Sequence, residues 1–407
     1  VPFAEGWIET TPDVSRFGEQ MLRAHVVALV IAASAAFAQP QWQPISSDTL
    51  KSPEVLPDLR VVFRIYAPKA SAVALTGDFV PQGRGTGGPL AKDDQGIWSI
   101  SVGPLVPDFY TYVFTVDGVR TIDPKNPMIK QGVASLENLF LVPGQEAAYE
   151  DTLPVPHGEV RSVWYNSITL SQPRRMHVYT PPGYESGGQR YPVLYLIHGG
   201  GDEDSGWSTI GRAGFILDNL LAAGKVKPMI VVMPNGSISL PGVTSPMGGG
   251  ARPATTPEAI AARIATISKL HDAFVSDLLT GIIPHVEKTY RVLATRENRA
   301  IAGLSMGGAE TLRAAPSNLD KFAWIGVFSM GLQEGMNAGV NSDFVQPNAA
   351  FFADPEKTNQ QLKLLWIGVG KDDHTVTDGP KRLSETLTAH HIRHEYHETE
   401  GGHTWIN

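Results

Sequence analysis

The 407-residue chain contains no cysteine. Disulfides, thiolate metal sites and cysteine nucleophiles are therefore all excluded. Charge is sparse too: 18% of residues are Asp, Glu, Lys or Arg, and the net charge is −8. So mild an acidity gives no reason to expect a nucleic-acid or anionic-membrane partner. No internal repeat and no low-complexity tract is visible. What is plentiful is glycine and proline, 41 and 31 residues, which implies many turns and loops. That balance fits a β-sandwich joined to a loop-rich enzyme better than a helical bundle, and the length suffices for two domains with a sizeable core.

The N-terminal part reads as a processing segment. Met21-Leu22-Arg23-Ala24-His25 is a short positive region, Val26 to Phe37 is apolar, and Ala36-Phe37-Ala38 is a small-x-small cleavage site. This pattern is that of a secretory signal peptide ending before Gln39. The apolar stretch is too short for a membrane span, and the competing reading is a buried helix. Because the signal starts at Met21 while residue 1 is valine, residues 1–20 read as a cloning or frame extension, and residues 1–38 are set aside from the fold. A secreted chain without cysteine points to a bacterial secreted or periplasmic protein.

Residues 39–56 are polar and proline-containing, as in a linker. Within 57–145 the pattern is short alternating runs: Arg60–Tyr66, Ala72–Thr76, Ile97–Val102 and Tyr110–Val116, the last closed by a turn at Asp117-Gly118. Such runs with regular turn signals predict an all-β, immunoglobulin-like sandwich. Residues 146–170 read as a second linker, and 171–407 as a further domain in which strands alternate with helices. Its apolar runs are Tyr191–Ile197, Met229–Met233, Arg299–Gly303, Trp324–Phe328 and Leu364–Val369, with His391–Tyr396 as a last strand. Helical periodicity covers Pro257 to Tyr290, broken near Gly281, and recurs over Ala309–Ala315 and Pro380–His390. Buried strands separated by helices predict an α/β fold with a mainly parallel sheet covered on both faces.

Gly303-Leu304-Ser305-Met306-Gly307 is a G-x-S-x-G between an apolar strand and a helix. In that context the pattern is a nucleophile elbow, in which the tight turn demands minimal side chains on either side of the serine. A serine hydroxyl needs a base, and chain order in this fold is serine, acid, histidine. Of the histidines after Ser305, His403 follows Gly401-Gly402 in a loop beyond the last strand, at the sheet edge that carries the elbow. His391, His394 and His397 lie on or beside that strand and read as packed or solvated; no metal site is expected of them. The acid belongs just after the penultimate buried strand, where Asp372 and Asp373 are adjacent, and spacing does not choose between them. An oxyanion hole needs donors from the Met306 N–H and from an early loop, here His198-Gly199-Gly200-Gly201, with Gly200 first and Gly199 next. His198 reads as a structural hydrogen-bonding residue. Trp207 reads as a loop anchor or substrate-pocket wall, and Met247 lies in a glycine-rich loop, 241–253, that could shape the acyl pocket.

With these residues in hand, the second half resembles the carbohydrate esterases of family one, the esterase D-like group of α/β-hydrolases that includes feruloyl and acetyl xylan esterases. The matching pieces are Tyr179-Thr-Pro-Pro-Gly-Tyr184, Pro192 to Gly200, Val232-Met-Pro-Asn-Gly236, Pro284 to Arg291, Gly303 to Gly308, Gly368 to Asp373 and Gly401 to Trp405. In that family the acid ends a G-x-x-D segment, so the resemblance favours Asp373. The first half is similar to a family 48 carbohydrate-binding module, through Val62 to Pro68, Leu75 to Phe79, Gly96 to Trp98, Tyr110 to Tyr112, Val116 to Gly118 and Asp123-Pro124. This pairing of modules is similar to two-domain feruloyl esterases, although siderophore esterases also place a related sandwich before a hydrolase. Members of the family usually continue past Gly-Gly-His-Thr-Trp with a helix, so a partial or artificially bounded sequence is expected.

The expected activity is ester hydrolysis with no metal or organic cofactor, by attack of Ser305 with His403 as base and Asp373 as its orienting acid. The expected substrate is a hydroxycinnamoyl ester on plant cell-wall arabinoxylan or its feruloylated oligosaccharides. An acetylated xylan or a siderophore ester is the alternative. A glycan-binding protein with an idle hydrolase scaffold is the alternative outside enzymes. Trp98, Tyr110 and Tyr112 could bind glycan or could be sandwich core.

Overall fold

The structure is a computed structural model that describes residues 48–79, 86–145, 147–243, 256–333 and 344–405. The chain divides into two units, Val1–Thr49 and Leu50–Asn407. The first lies almost wholly outside the described residues, and so do the signal-peptide segment, residues 39–47 of the 39–56 linker and Met247. No helix among the described residues is long and apolar enough to cross a membrane.

The sandwich is built from β1 (Glu54–Val55), β2 (Val61–Tyr66), β3 (Val73–Gly77), β4 (Thr86–Pro89), β5 (Ala91–Lys92), β6 (Ile97–Val102), β7 (Asp108–Val116), β8 (Val119–Thr121), β9 (Ile129–Gln131) and β10 (Leu136–Val142). One sheet has the order β1-β2-β6-β5 and the other β4-β3-β7-β10-β9, with β8 on β7. Period-two burial drives the packing: in β2, Val61, Phe63 and Ile65 are buried while Val62, Arg64 and Tyr66 are not. Phe63 sits at the centre, against Phe79, Tyr112 and Phe140. Trp98, Tyr110 and Tyr112 belong to this core. Their polar tips are used internally: Trp98 Nε1 donates to the Ala67 carbonyl at 2.9 Å, Tyr110 to the Val106 carbonyl at 2.7 Å and Tyr112 to Asp123 at 2.8 Å. Of the two roles open to these aromatics, the structure gives them core packing.

The α/β part comprises β11 (Glu159–Ser167), β12 (Gln172–Thr180), β13 (Val193–Ile197), α1 (Ala213–Ala222), β14 (Ile230–Pro234), α2 (Pro257–Asp277), α3 (Ile283–Thr289), β15 (Arg299–Leu304), α4 (Met306–Ala314), β16 (Trp324–Phe328), α5 (Ala349–Ala353), α6 (Pro355–Gln361), β17 (Leu364–Gly370), α7 (Gly379–Ala389) and β18 (Glu395–Thr399). The sheet order is β11-β12-β14-β13-β15-β16-β17-β18. Strands from β14 to β18 pair in parallel, and β11 and β12 join antiparallel. This is the α/β-hydrolase architecture with its mainly parallel sheet. The helical segment breaks where predicted, into a π-turn at Leu278–Ile282 between α2 and α3. Pro284 has no N–H to give the preceding turn, and a Cβ on Gly281 would lie 2.7 Å from Asp277 Oδ1.

One reading needs correction. The stretch 146–170, read as a linker, carries β11, an edge strand of the large sheet paired along its whole length with β12. Its outward face exposes Val160 and Trp164, so the alternation expected of a half-buried strand is blurred.

Candidate active site

Strand order reverses at β13, which lies between β14 and β15. Loops leaving the carboxyl ends of β13 and β15 therefore meet at the crevice where α/β sheets place their sites. The loop after β15 is the elbow. Ser305 has φ +53° and ψ −112°, a strained conformation for a residue with a side chain. Its N–H donates to the Phe328 carbonyl at 2.8 Å, and its carbonyl accepts from Ala309 at 3.0 Å, which launches α4. A Cβ on Gly303 would lie 2.2 Å from Gly307 backbone, and one on Gly307 would lie 2.4 Å from the Ile197 carbonyl. The turn can close against β13 only because both are glycine.

Ser305 Oγ lies 2.8 Å from His403 Nε2, and His403 Nδ1 lies 2.8 Å from Asp373 Oδ2. Asp373 is buried, and its other oxygen accepts the N–H groups of Thr375 at 3.1 Å and Val376 at 3.3 Å. Its neighbour Asp372 is exposed, and its backbone N–H donates to the Gly401 carbonyl. The adjacent aspartates thus have separate positions: the carboxylate of 373 faces the histidine, and the main chain of 372 ties the β17 loop to the histidine loop. The other late histidines stand apart. His394 bonds Ser384, and His397 stacks on Trp366 and lies 3.2 Å from Glu395. Among the described residues, no group of three or more His, Asp or Glu side chains could hold a metal ion.

The glycine loop after β13 comes up to the serine. A Cβ on Gly199 would lie 3.6 Å from Ser305 Cβ. Buried His198 accepts the Gly236 N–H on Nε2 at 2.9 Å, which leaves Nδ1 to donate to the Gly199 carbonyl at 2.8 Å. Burial lowers its pKa and keeps the ring neutral, as that bonding requires. His198 therefore has the structural role read for it. Met306 is buried at the start of α4, directly after the serine, and Gly200 is partly buried in the loop next to Gly199. Trp207 packs edge-on against Trp405, ring centroids 4.8 Å apart, and against Phe328 at 6.1 Å, beside the serine and histidine loops.

Several residues here were missed in the sequence. Asp202, Glu203 and Asp204 follow the glycine loop, are buried, and are neutralised from outside it. Arg175 on β12 holds Asp204 in a two-pronged pair at 2.8 and 2.9 Å and also bonds Glu203. Burial alone would raise the Asp204 pKa, but Arg175 outweighs it and holds the carboxyl below its ordinary value. Lys130 of β9 pairs with Asp202 at 2.5 Å. The run Asp-Glu-Asp was legible as charge, but its partners are remote in sequence. Glu310, on α4, is fully buried, and burial pushes its pKa well above the ordinary range.

Residues 167–407 match the family model Esterase, described as "Putative esterase", and residues 52–126 match carbohydrate-binding module 48, the isoamylase N-terminal domain. An endo-1,4-beta-xylanase/feruloyl esterase of Xylanibacter ruminicola is 31% identical over 78% of this chain, and the match spans 42% of that protein, under half of its length. A CE1 ferulic acid esterase of the anaerobic fungus Anaeromyces mucronatus aligns at 26% identity and TM-score 0.50, over 63% of this chain and 89% of that one. The enterobactin esterase of Shigella flexneri aligns at 13% identity and TM-score 0.59, over 85% of this chain and 89% of that one, a likeness of fold.

Proposed function

The chain belongs to the esterase family matched by its residues 167–407, and from that premise we propose that it is a secreted serine carboxylic-ester hydrolase releasing ferulic or related hydroxycinnamic acids from plant cell-wall arabinoxylan. The single observation that carries the reading is the continuous chain Asp373–His403–Ser305, two contacts of 2.8 Å ending on a serine in a strained elbow. The likeness to a xylanase/feruloyl esterase supports the acyl group and the polymer.

In this mechanism Ser305 attacks the ester carbonyl while His403 Nε2 takes its proton. Asp373 holds the proton of His403 on Nδ1 and stabilises the imidazolium. The N–H groups of Met306 and Gly200, with Gly199 beside it, stabilise the tetrahedral oxyanion. The alcohol leaves with the proton from His403, and water repeats the cycle on the acyl-enzyme. Trp207, Phe328 and Trp405 gather aromatic surface beside the serine and histidine loops, which supports a flat phenolic acyl group.

The test is release of product from methyl ferulate, feruloylated xylo-oligosaccharide and 4-nitrophenyl acetate, with Ser305→Ala beside the parent. Ser305-dependent release of ferulate is expected. Turnover of the acetate alone would move the substrate to acetylated glycans, and turnover that survives Ser305→Ala would end the reading.

A further inference from the structure

The stretch Gly199-Gly200-Gly201 carries no side chains, so nothing of its own can lock its conformation, and glycine is the residue with the most backbone freedom to lose. A donor loop for an oxyanion works only if it is already in place when charge develops. Its restraints must come from outside. His198 holds the Gly199 carbonyl at one end. At the other end the restraint comes from the sandwich. Past β9 the chain runs beside the loop: Gly132 and Asp202 form an antiparallel bridge, and the Val133 N–H donates to the Gly201 carbonyl at 2.9 Å. A Cβ on Gly132 would lie 2.6 Å from that carbonyl, so the approach depends on glycine.

Lys130 on β9 then reaches across with its ammonium to Asp202, and both side chains are about nine-tenths buried, at 11% and 9% exposure. Burial opposes the charge on Lys130, yet Asp202, and Glu137 at 3.7 Å, outweigh it and hold its pKa above the ordinary value. The Asp202 N–H closes the glycine turn onto the Gly199 carbonyl at 3.3 Å, and the Asp202 carbonyl accepts from Ser237. The ion pair is therefore tied to both ends of the glycine loop. The histidine loop is gripped from the same side, since Trp405 packs with Phe109 and Leu139 of the sandwich and with Ile210.

We propose that Lys130 is a positioning residue for the oxyanion loop, so that the sandwich acts on the chemical step itself as well as on any glycan. The proposal rests on the esterase reading above. Its consequence is visible on a small soluble ester, where polymer targeting plays no part.

The experiment measures kcat and KM separately on whichever of methyl ferulate and 4-nitrophenyl acetate the parent turns over. Lys130→Met is expected to lower kcat about 10- to 100-fold, the scale of a displacement of catalytic groups by a fraction of an ångström to an ångström, with KM changed less than about twofold. Lys130→Arg should recover most of the loss. Glu137→Gln, which removes the partner inside the sandwich, should leave kcat at the parent value. Asp202→Asn should cause no further loss when added to Lys130→Met. Should Lys130→Met fail to fold, Lys130→Gln combined with Asp202→Asn removes both charges together and carries the comparison. An unchanged kcat in the Lys130 variants, an equal loss in Glu137→Gln, or losses that multiply with Asp202→Asn would each overturn the proposal. Turnover independent of Ser305 defeats the esterase reading instead, whereas Ser305-dependent turnover that ignores Lys130 defeats the brace alone.

Discussion

Replacing Asp373 by asparagine tests the catalytic geometry at its most specific point. The change is nearly isosteric, and the surroundings dictate how the amide must sit. One oxygen of Asp373 receives two backbone N–H groups, from Thr375 and Val376. An amide NH2 placed there would face two donors, so the amide oxygen must stay and the NH2 must turn to His403 Nδ1. A neutral imidazole has one donor nitrogen and one acceptor. In the parent, Nδ1 donates to Asp373 and Nε2 is free to accept from Ser305. In the variant Nδ1 must accept, so Nε2 carries the hydrogen and points it at Ser305 Oγ, where no base remains. The imidazolium formed during attack also loses its carboxylate. The expected loss is about 10⁴-fold in kcat, the size seen when this tautomer is inverted in an unrelated triad, or about 5.5 kcal/mol of barrier. KM and melting temperature should stay near the parent values, since neither the ester site nor the packing changes. Initial rates across a range of methyl ferulate concentrations read both constants. Asp372→Asn is the control and should keep parental rates, because its carboxylate is exposed. A kcat for Asp373→Asn within tenfold of the parent, or the larger loss falling on Asp372→Asn, would refute the reasoning.

Three further outcomes follow from the structure. Gly307→Ala forces a Cβ to 2.4 Å from the Ile197 carbonyl and 2.7 Å from that of His198, both backbone atoms; stability should fall by about 1–3 kcal/mol and activity with it, and an unchanged melting curve would contradict this. Trp98→Ala removes a buried ring from the sandwich core and should cost about 3–5 kcal/mol in a denaturant titration while leaving xylan retention by the folded protein unaltered. His271, buried on α2, has its pKa held down to about 4 by burial and then by Arg313. The unfolded chain takes up that proton near pH 6.5, so the contribution of His271 is complete above that pH and is lost as pH falls toward about 4, with a slope of at most about 1.4 kcal/mol per pH unit. Urea midpoints at pH 7, 6 and 5 should therefore decline less in His271→Met than in the parent, and parallel declines would count against the assignment.

The strands with a clear signal were those with one consistent environment. Ile230 to Met233 are buried on both faces, and Val61, Phe63 and Ile65 point one way into the sandwich; a continuous run and a strict alternation each announce themselves. β11 was missed because an edge strand carries exposed Val160 and Trp164 beside buried Tyr165, so neither pattern is clean. β10 was missed as well, although Leu139, Phe140 and Val142 are buried, because apolar neighbours in succession break the period of two. The last strand begins at Glu395, later than predicted, because the preceding residues turn through a left-handed His391.

The sequence by itself singled out the serine, the histidine and the glycines of the elbow as candidates, because a tight turn and a proton relay admit few residue types and the turn holds its own at fixed local spacing. It also narrowed the candidate acid to two adjacent aspartates. Only the tertiary structure decided where the carboxylate of Asp373 points, through the backbone N–H groups of Thr375 and Val376 that capture it. Only the tertiary structure decided that Trp98, Tyr110 and Tyr112 fill a core, and that Lys130 belongs with Asp202 and Arg175 with Asp204. These pairings join segments far apart along the chain, and no local pattern in either segment records the other. They exist because burying a carboxylate beside the glycine loop requires an opposite charge, wherever along the chain the fold can supply one.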